Sequence, residues 1–527
     1  PLLVLALVEG ALRVAGFRYQ PKEKVLWKPT ISGFIGTYEF YIPTEFAPPG
    51  YIWLSQPNSP YTDRYGFRKP EIPMEKPADK VRVAFLGGST THGGFRPYPE
   101  RAIRLINAAL GTNRYEMLNV ACSSYSTHQS LIALERWALP RQPDIVFVYH
   151  GWNDMWVAGD GYSDKEKDIL LSVTGEARIA MPAWLRSLRL TGLLGKLAES
   201  AGGRWPRQRV AFEDFEANLD AMAAQCRDAA ARMIVMIRPE QRPEYFAYQP
   251  MEALNLQFAR ETFGTTNAYE LYKAQSDRII AAQRAVAERH DHVDACDGNR
   301  FVHELLDRDA AGEFGENVPI FYSDNCHLLE FPDELLAQQV AFTIAPEHAV
   351  AISNYIDSVA YEIGMAEELV REDAPRESIW FIERALKRNP TPDQQAALLE
   401  LRSKAEANFE LVDLFRTGRW GGDDPVFESK IAKLKRCLEL RPTDYGILIQ
   451  IYRVCIYMNR MEEAAAAMAG FQPQTPQQQY EWMSYTMDSH LQAKRWKPAR
   501  RMAEKIIQMN PNHPLAAQVL QQIPENI

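Results

Sequence analysis

Apolar residues gather into five short runs between residues 81 and 296, at 81–86, 115–120, 144–149, 233–237 and 292–296. Each has the length of a strand and reads as one buried in a sheet. The stretches between them place apolar residues at helical spacing, as at 101–110 and 212–222. Alternation of this kind predicts a parallel sheet covered by helices on both faces, with right-handed crossovers. The intervals 155–210 and 240–290 are longer than simple crossovers need. They are expected to be insertions that shape a cleft.

The flanks read differently. Residues 18–80 are rich in proline and aromatics without a regular period, which predicts an irregular extension wrapped over the α/β unit. Residues 1–8 are apolar and uncharged but too short to span a bilayer, which takes about 20 residues. The stretch 1–17 is expected to be the remnant of a membrane anchor or signal segment; the alternative is an amphipathic helix packed on the α/β unit. Beyond the α/β unit (81–350) the strand signal stops, and residues 351–527 keep helical spacing. Prolines 442, 476 and 511 fall 34 and 35 residues apart. Helix endings such as Arg384 to Pro390, Cys437 to Pro442 and Lys505 to Pro511 each close an apolar stripe with a polar tail and a proline. The region resembles a tetratricopeptide array of about three to four helix pairs, a solenoid with a concave surface. It is expected to dock a protein partner or to self-associate; a helical appendage that only packs on its neighbour is the alternative.

A chain of 527 residues is too long for one core, so two or three domains are expected. A net charge of −9 argues against a general nucleic-acid binder, which would show a basic face. Six cysteines are compatible with an oxidising compartment without requiring one. Cys226, Cys296, Cys437 and Cys455 carry no metal-ligand spacing. His290, His292, Asp294 and Asp297 crowd one stretch, but strand alternation sends neighbours to opposite faces, so no metal site is expected. Gly87-Gly88 lacks the spacing of a dinucleotide fingerprint, and no cofactor is expected.

The candidate chemistry lies in three places. Gly87-Gly88-Ser89-Thr90 follows the first strand-like run, and a serine on a turn after a strand is exposed beside backbone N–H groups. Gly151-Trp152-Asn153-Asp154 follows the third run, where an Asn side chain can donate into the crevice at the sheet's carboxyl edge. Asp324-Asn325-Cys326-His327 offers a base and an orienting carboxylate within one turn of chain. Taken singly, Ser89 could be a helix cap, His327 a core or surface histidine, and Asn153-Asp154 a turn.

The order Gly-Gly-Ser-Thr, Gly-x-Asn-Asp, Asp-x-x-His resembles the SGNH/GDSL hydrolases over residues about 60–350. The lead-in from Thr62 to Arg68 agrees with it. The resemblance implies an α/β, flavodoxin-like parallel sheet, followed here by the all-α repeat region. It implies Ser89 as nucleophile, His327 as base and Asp324 as its orienting partner, with an oxyanion hole from the Ser89 N–H, the Ser124 N–H and the Asn153 side chain. Ser124, and less so Ala121, stands where the family favours glycine; a positive φ there would be strained in a residue with a Cβ. His92, Ala121, Trp152 and Asp154 are candidates for the cleft, with a structural role as the favoured alternative for His92 and with Trp152 either stacking on a sugar or filling the core. Cys122 and Cys326, both in blocks around that cleft, are a candidate disulfide, with two free thiols as the alternative. The expected activity is a serine esterase outside the cytoplasm, anchored at the membrane, that takes a small acyl group such as acetyl from a small-molecule or polysaccharide ester. An O-acyltransferase on the same site and a non-catalytic interaction protein are the competing expectations.

Overall fold

A computed structural model describes residues 2–17, 24–27, 34–35, 38–41, 52–55, 61–93, 96–158, 162–174, 177–179, 188–190, 193, 207–243, 267–314, 326–371, 374–418, 426–441, 444–458, 460, 462–463, 466, 472–473, 476–492, 495–509 and 514–523. All five apolar runs form strands: β1 (Val81–Gly87), β2 (Tyr115–Asn119), β3 (Ile145–Tyr149), β4 (Arg232–Ile237) and β5 (Val293–Asp297). They make one sheet in the order β2-β1-β3-β4-β5, with every pairing parallel. This is the flavodoxin-like order, in which the chain reverses direction across the sheet between β1 and β3. The register sets Gly87 opposite Tyr149, so the loops after β1 and β3 open side by side.

Helices cover both faces. After β1 come the short α2 (Ser89–His92) and α3 (Tyr98–Leu110). Helix α3 has prolines at its entry and is closed by Gly111 in a left-handed conformation, the asymmetry expected of helix ends. It packs on α9 (Glu330–Ile344). A second row is formed by α4 (Thr127–Ala133), α6 (Phe212–Asp228) and α7 (Ala268–Arg289). Part of the expected insertion at 240–290 is therefore the crossover helix α7 itself. Helix α5 (Asp164–Thr174) lies in the other insertion. Between β5 and α9 runs α8 (Gly298–Ala310).

At the N-terminus, α1 (Leu2–Val14) is helical, and its Glu9 carboxylate accepts the backbone N–H groups of Arg189 (3.0 Å) and Leu190 (2.8 Å). Among the described residues no helix is long and apolar enough to cross a membrane. The extension before β1 reaches the heart of the molecule: Leu54 and Ser55 are buried. Asp63 Oδ1 accepts the N–H groups of Tyr65 and Phe67, closing the turn of the lead-in.

Beyond α9 every element among the described residues is helical. One apolar core runs from Ile52 through the sheet to Leu401, so the boundary expected at residue 350 falls inside it. Two further clusters follow, from Leu411 to Cys455 and from Met483 to Ile523, with Trp482 packed against both. A buried ionic cluster also crosses residue 350. Glu368 pairs with Arg96 (2.8 Å), Arg101 (3.3 Å) and Arg104, and Arg101 reaches Glu334 (3.3 Å). Tyr361 donates to the other Glu334 oxygen at 2.8 Å.

Candidate active site

Ser89 opens α2 directly after β1, with Gly88 as the preceding cap residue. The first N–H groups of a helix have no partner within it, and neither the Ser89 N–H nor its hydroxyl has one among the described residues. The two glycines before it are fixed by crowding. A Cβ on Gly87 would meet Thr91 Oγ1 at 2.1 Å, and one on Gly88 would meet Asn153 Nδ2 at 2.5 Å. Asn153, at 8% exposure, is thus pressed against the serine turn. Its Nδ2 donates one hydrogen to the Tyr125 carbonyl at 2.9 Å; an amide nitrogen has a second to give.

Ser124, just before Tyr125, has φ +66. The strained conformation weighed from sequence is adopted with a Cβ in place, and no described acceptor engages the Ser124 N–H. Ala121 is different. Its N–H goes to Asn119 Oδ1 at 3.1 Å and its carbonyl receives His92 Nδ1 at 3.0 Å. Both groups are engaged and the residue is buried, so Ala121 lines no cleft and offers no oxyanion donor.

His92 likewise leaves the cleft. Because a carbonyl only accepts, Nδ1 must carry the proton toward Ala121, and Nε2 faces the Ser55 hydroxyl at 3.3 Å. Burial, reinforced by the Arg68 cation, pulls its pKa down to about 4, so it is a neutral structural ring. Asp154 is fully buried. One of its oxygens takes the Thr127 N–H and hydroxyl (2.8 and 2.7 Å), the other the Gly151 N–H (3.1 Å). It staples the loop after β3 to the start of α4. Trp152 is 6% exposed, with the Arg238 guanidinium 4.1 Å from its ring centre and Tyr272 stacked at 6.2 Å. It fills the core, and that face is closed to a sugar.

His327 lies three residues before α9 and is half-buried. Cys326 and Leu328 beside it pack on the main core. Burial raises the pKa of the Tyr149 hydroxyl, and the nearby Cys326 adds to that. No hydrogen bond joins Ser89 and His327; His327 Nδ1 stands 3.4 Å from Cys326 Sγ. Asp324 lies outside the described residues. The candidate disulfide is not formed. Both cysteines are free; Cys122 is buried with Sγ 3.5 Å from Ser55 Oγ, while Cys326 turns to His327.

Supports that sequence reasoning missed surround these groups. Trp53 Nε1 donates to the Ser123 carbonyl at 3.1 Å, and the Tyr125 hydroxyl donates to the Trp53 carbonyl. Ser126 caps α4 in a reciprocal arrangement with Gln129; the Ser-x-x-Gln spacing was the visible signal. Its hydroxyl also donates to Asp164 at 2.9 Å, and Arg209 pairs with the same carboxylate at 2.8 Å. Burial pushes the Asp164 carboxyl up, but Arg209 outweighs it and holds the pKa below the usual range. His150 is buried, bonded to Ser130 at 2.7 Å, and drawn down to about 4 by burial.

Residues 85–328 match the model of the GDSL-like Lipase/Acylhydrolase family. This stretch is a GDSL-like lipase/acylhydrolase domain. The chain is thus a hydrolase of the class that cleaves esters. No curated protein matches it. Solved structures similar to the hydrolase domain include a lipase/acylhydrolase from Enterococcus faecalis, 14% identical, covering 51% of this chain and 96% of its own, with a TM-score of 0.31. Another is the acetyl xylan esterase AlAXEase, at 15% identity, 50% and 100% coverage and TM-score 0.30. A third is a variant of an acetyl xylan esterase from Geobacillus stearothermophilus, at 14% identity, 51% and 94% coverage and TM-score 0.30.

Proposed function

We propose that Ser89 is the nucleophile of an acyl-enzyme cycle that removes a small acyl group, such as acetyl, from an oxygen ester. The observation that carries this is the packing of the Asn153 amide against the Gly88-Ser89 turn, beside a Ser124 backbone held at φ +66. Two backbone N–H groups and one amide N–H are then available near one serine, the donor set that an oxyanion needs. Ser89 Oγ attacks the acyl carbonyl while His327 takes its proton. The tetrahedral oxyanion is held by the N–H groups of Ser89 and Ser124 and by Asn153. Collapse expels the alcohol, which receives the proton from His327, and water then repeats the sequence on the acyl-serine to release the acid. In this cycle His327 closes onto Ser89 Oγ when substrate binds; catalytic hydrogen bonds often tighten only then. Asp324 is assigned to His327 by its place in the Asp-x-x-His motif.

A carbohydrate ester is the substrate we favour, on the family resemblance of the motifs. The apolar run at residues 1–8 supports an enzyme held at a membrane outside the cytoplasm, and the all-helical region after α9 supports a repeat module that docks a protein partner or a second copy. The test is hydrolysis of an aryl acetate by the Ser89→Ala variant, checked for fold by circular dichroism. Turnover should fall on the order of 10⁴-fold or more; a folded variant that keeps wild-type turnover removes Ser89 from the reaction.

A further inference from the structure

Trp152 was the aromatic suited by sequence to a sugar ring, and it is buried. A second tryptophan, four residues on, is not. Trp156 is 43% exposed, and no hydrogen bond or ring contact engages its indole among the described residues. Three other described tryptophans around the sheet are spoken for. Trp53 reaches Ser123, Trp137 is 2% exposed, and Trp152 lies under Arg238. An indole left open in a well-packed region carries apolar surface that a ligand can cover.

Its backbone is fixed relative to the site. The Trp156 N–H donates to the Asn153 carbonyl at 3.4 Å, closing a turn; a turn of this kind keeps its ends within about 7 Å. On its other side the Trp156 carbonyl accepts the Arg209 N–H at 2.7 Å, and Val157–Ala158 pairs with Arg207–Gln208 as a short ribbon. Arg209 is in turn held by the buried Asp164. At the near end of the turn, the Asn153 amide rests on Gly88 beside Ser89. An exposed flat ring is therefore anchored one turn from an oxyanion donor.

We propose that Trp156 is a carbohydrate subsite: its indole stacks on a pyranose ring of the acylated saccharide and sets the ester over Ser89. This rests on the esterase reading above for its substrate. The flat, C–H-bearing face of a pyranose is the partner that a bare indole suits, and covering that surface removes it from water without a charged group on either side.

The test has a kinetic arm and a binding arm. In the first, wild type, Trp156→Ala and Trp156→Phe are compared on an O-acetylated xylo-oligosaccharide and on an aryl acetate. The Ala variant should raise KM for the oligosaccharide about tenfold while kcat falls less than threefold, and its loss in kcat/KM there should exceed the loss on the aryl ester at least fivefold. Phe, which keeps a π face, should recover most of the KM. Equal losses on both esters would mean that Trp156 only shapes the Asn153 loop, and no loss on either would mean that it touches nothing; each result overturns the subsite. In the second arm, the same oligosaccharide is titrated calorimetrically into Ser89→Ala with and without Trp156→Ala. Tenfold weaker binding in the double variant is expected, and equal or undetectable binding in both overturns the proposal. Wild type that hydrolyses neither ester, with binding that still depends on Trp156, would sink the esterase reading and leave the subsite standing.

Discussion

Replacing Gly88 by Ala tests the proposed oxyanion hole without touching any group proposed to react. The torsions at Gly88, φ −88 and ψ −150, are extended and open to alanine, so the backbone itself raises little objection. The difficulty is contact. The new Cβ would stand 2.5 Å from Asn153 Nδ2 and 3.2 Å from the Tyr125 carbonyl oxygen. Carbon and nitrogen need about 3.5 Å, so the amide must retreat by about 1 Å. It is tethered to Tyr125 at 2.9 Å, so retreat breaks that hydrogen bond. Losing the bond and repacking should cost about 1–2 kcal/mol of stability. Losing one oxyanion donor should lower kcat about a hundred- to a thousandfold, or roughly 3–4 kcal/mol, with little change in KM. Steady-state hydrolysis of an aryl acetate by Gly88→Ala, Asn153→Ala and the double variant measures this. If both act through the same amide, the double variant should be no worse than the poorer single one. Folded Gly88→Ala within threefold of wild type, or a double variant whose loss is the product of the two, would refute the placement of Asn153 in the hole.

Two further outcomes follow from the same loops. Ser124→Gly relieves a left-handed strain of about 1 kcal/mol but loosens the unfolded chain by a similar amount; stability should stay within about 0.5 kcal/mol and turnover should be kept. Ser124→Val, β-branched at φ +66, should lose about 2 kcal/mol and most activity, and a Val variant as stable and active as wild type in thermal unfolding and turnover assays would show that this φ is not needed. The buried His92 and His150 have folded pKa values near 4, down from 6.5. Each binds its proton less readily folded than unfolded, so this stability is complete above pH 6.5 and drains away as pH falls from 6.5 to 4. Each ring should cost about 2 kcal/mol between pH 7 and pH 5. Urea unfolding should show that loss, reduced by about half in His150→Gln; a variant with the full wild-type pH dependence would contradict the assignment for His150.

The sheet was legible because five apolar runs at strand length, separated by helical spacing, leave few other ways to bury them. For the candidate site, what was legible is where chain direction alone fixes a position. Ser89 and Asn153 follow β1 and β3, and neighbouring parallel strands bring their loops together. Side-chain direction was not legible. Trp152 sits between two motif residues, yet its indole turns inward under Arg238, a residue 86 positions on. Cys122 and Cys326 belong to blocks that motif order assigns to one cleft, but a disulfide needs facing Cβ vectors, and Cys122 faces Ser55 instead. The structural alternative holds for His92, though nothing near position 92 signals that Ser55 and the Ala121 carbonyl hold the ring. Ser124 shows the converse. Motif order located the position, while tolerance of φ +66 depends on neighbours, Trp53 on Ser123 and Tyr125, that no local pattern encodes.

Those neighbours bear on where the hydrolase-like domain ends. An oxyanion hole works because its donors are already aimed before charge develops, and a site is only as fixed as the shell behind it. Here the shell comes from outside the matched stretch 85–328 on both sides. Trp53 and Ser55, upstream, hold the loop that carries Ser124. Downstream, α9 follows His327 directly, and its Glu334 shares Arg101 of α3 with Glu368. Helix α3 in turn follows the Ser89 turn. One ionic cluster thus links the two segments that lead away from Ser89 and His327. Removing one partner from a buried cluster is costly, typically about 3–5 kcal/mol, because the remaining charges stay desolvated. A cut at residue 350 would take Glu368 from three arginines and strip Tyr361, Met365, Phe381 and Leu398 from the same core. A division after Leu401 passes between apolar clusters instead. By this physical measure the first helices of the C-terminal region belong to the hydrolase, and only the later ones are free to serve as a separate module.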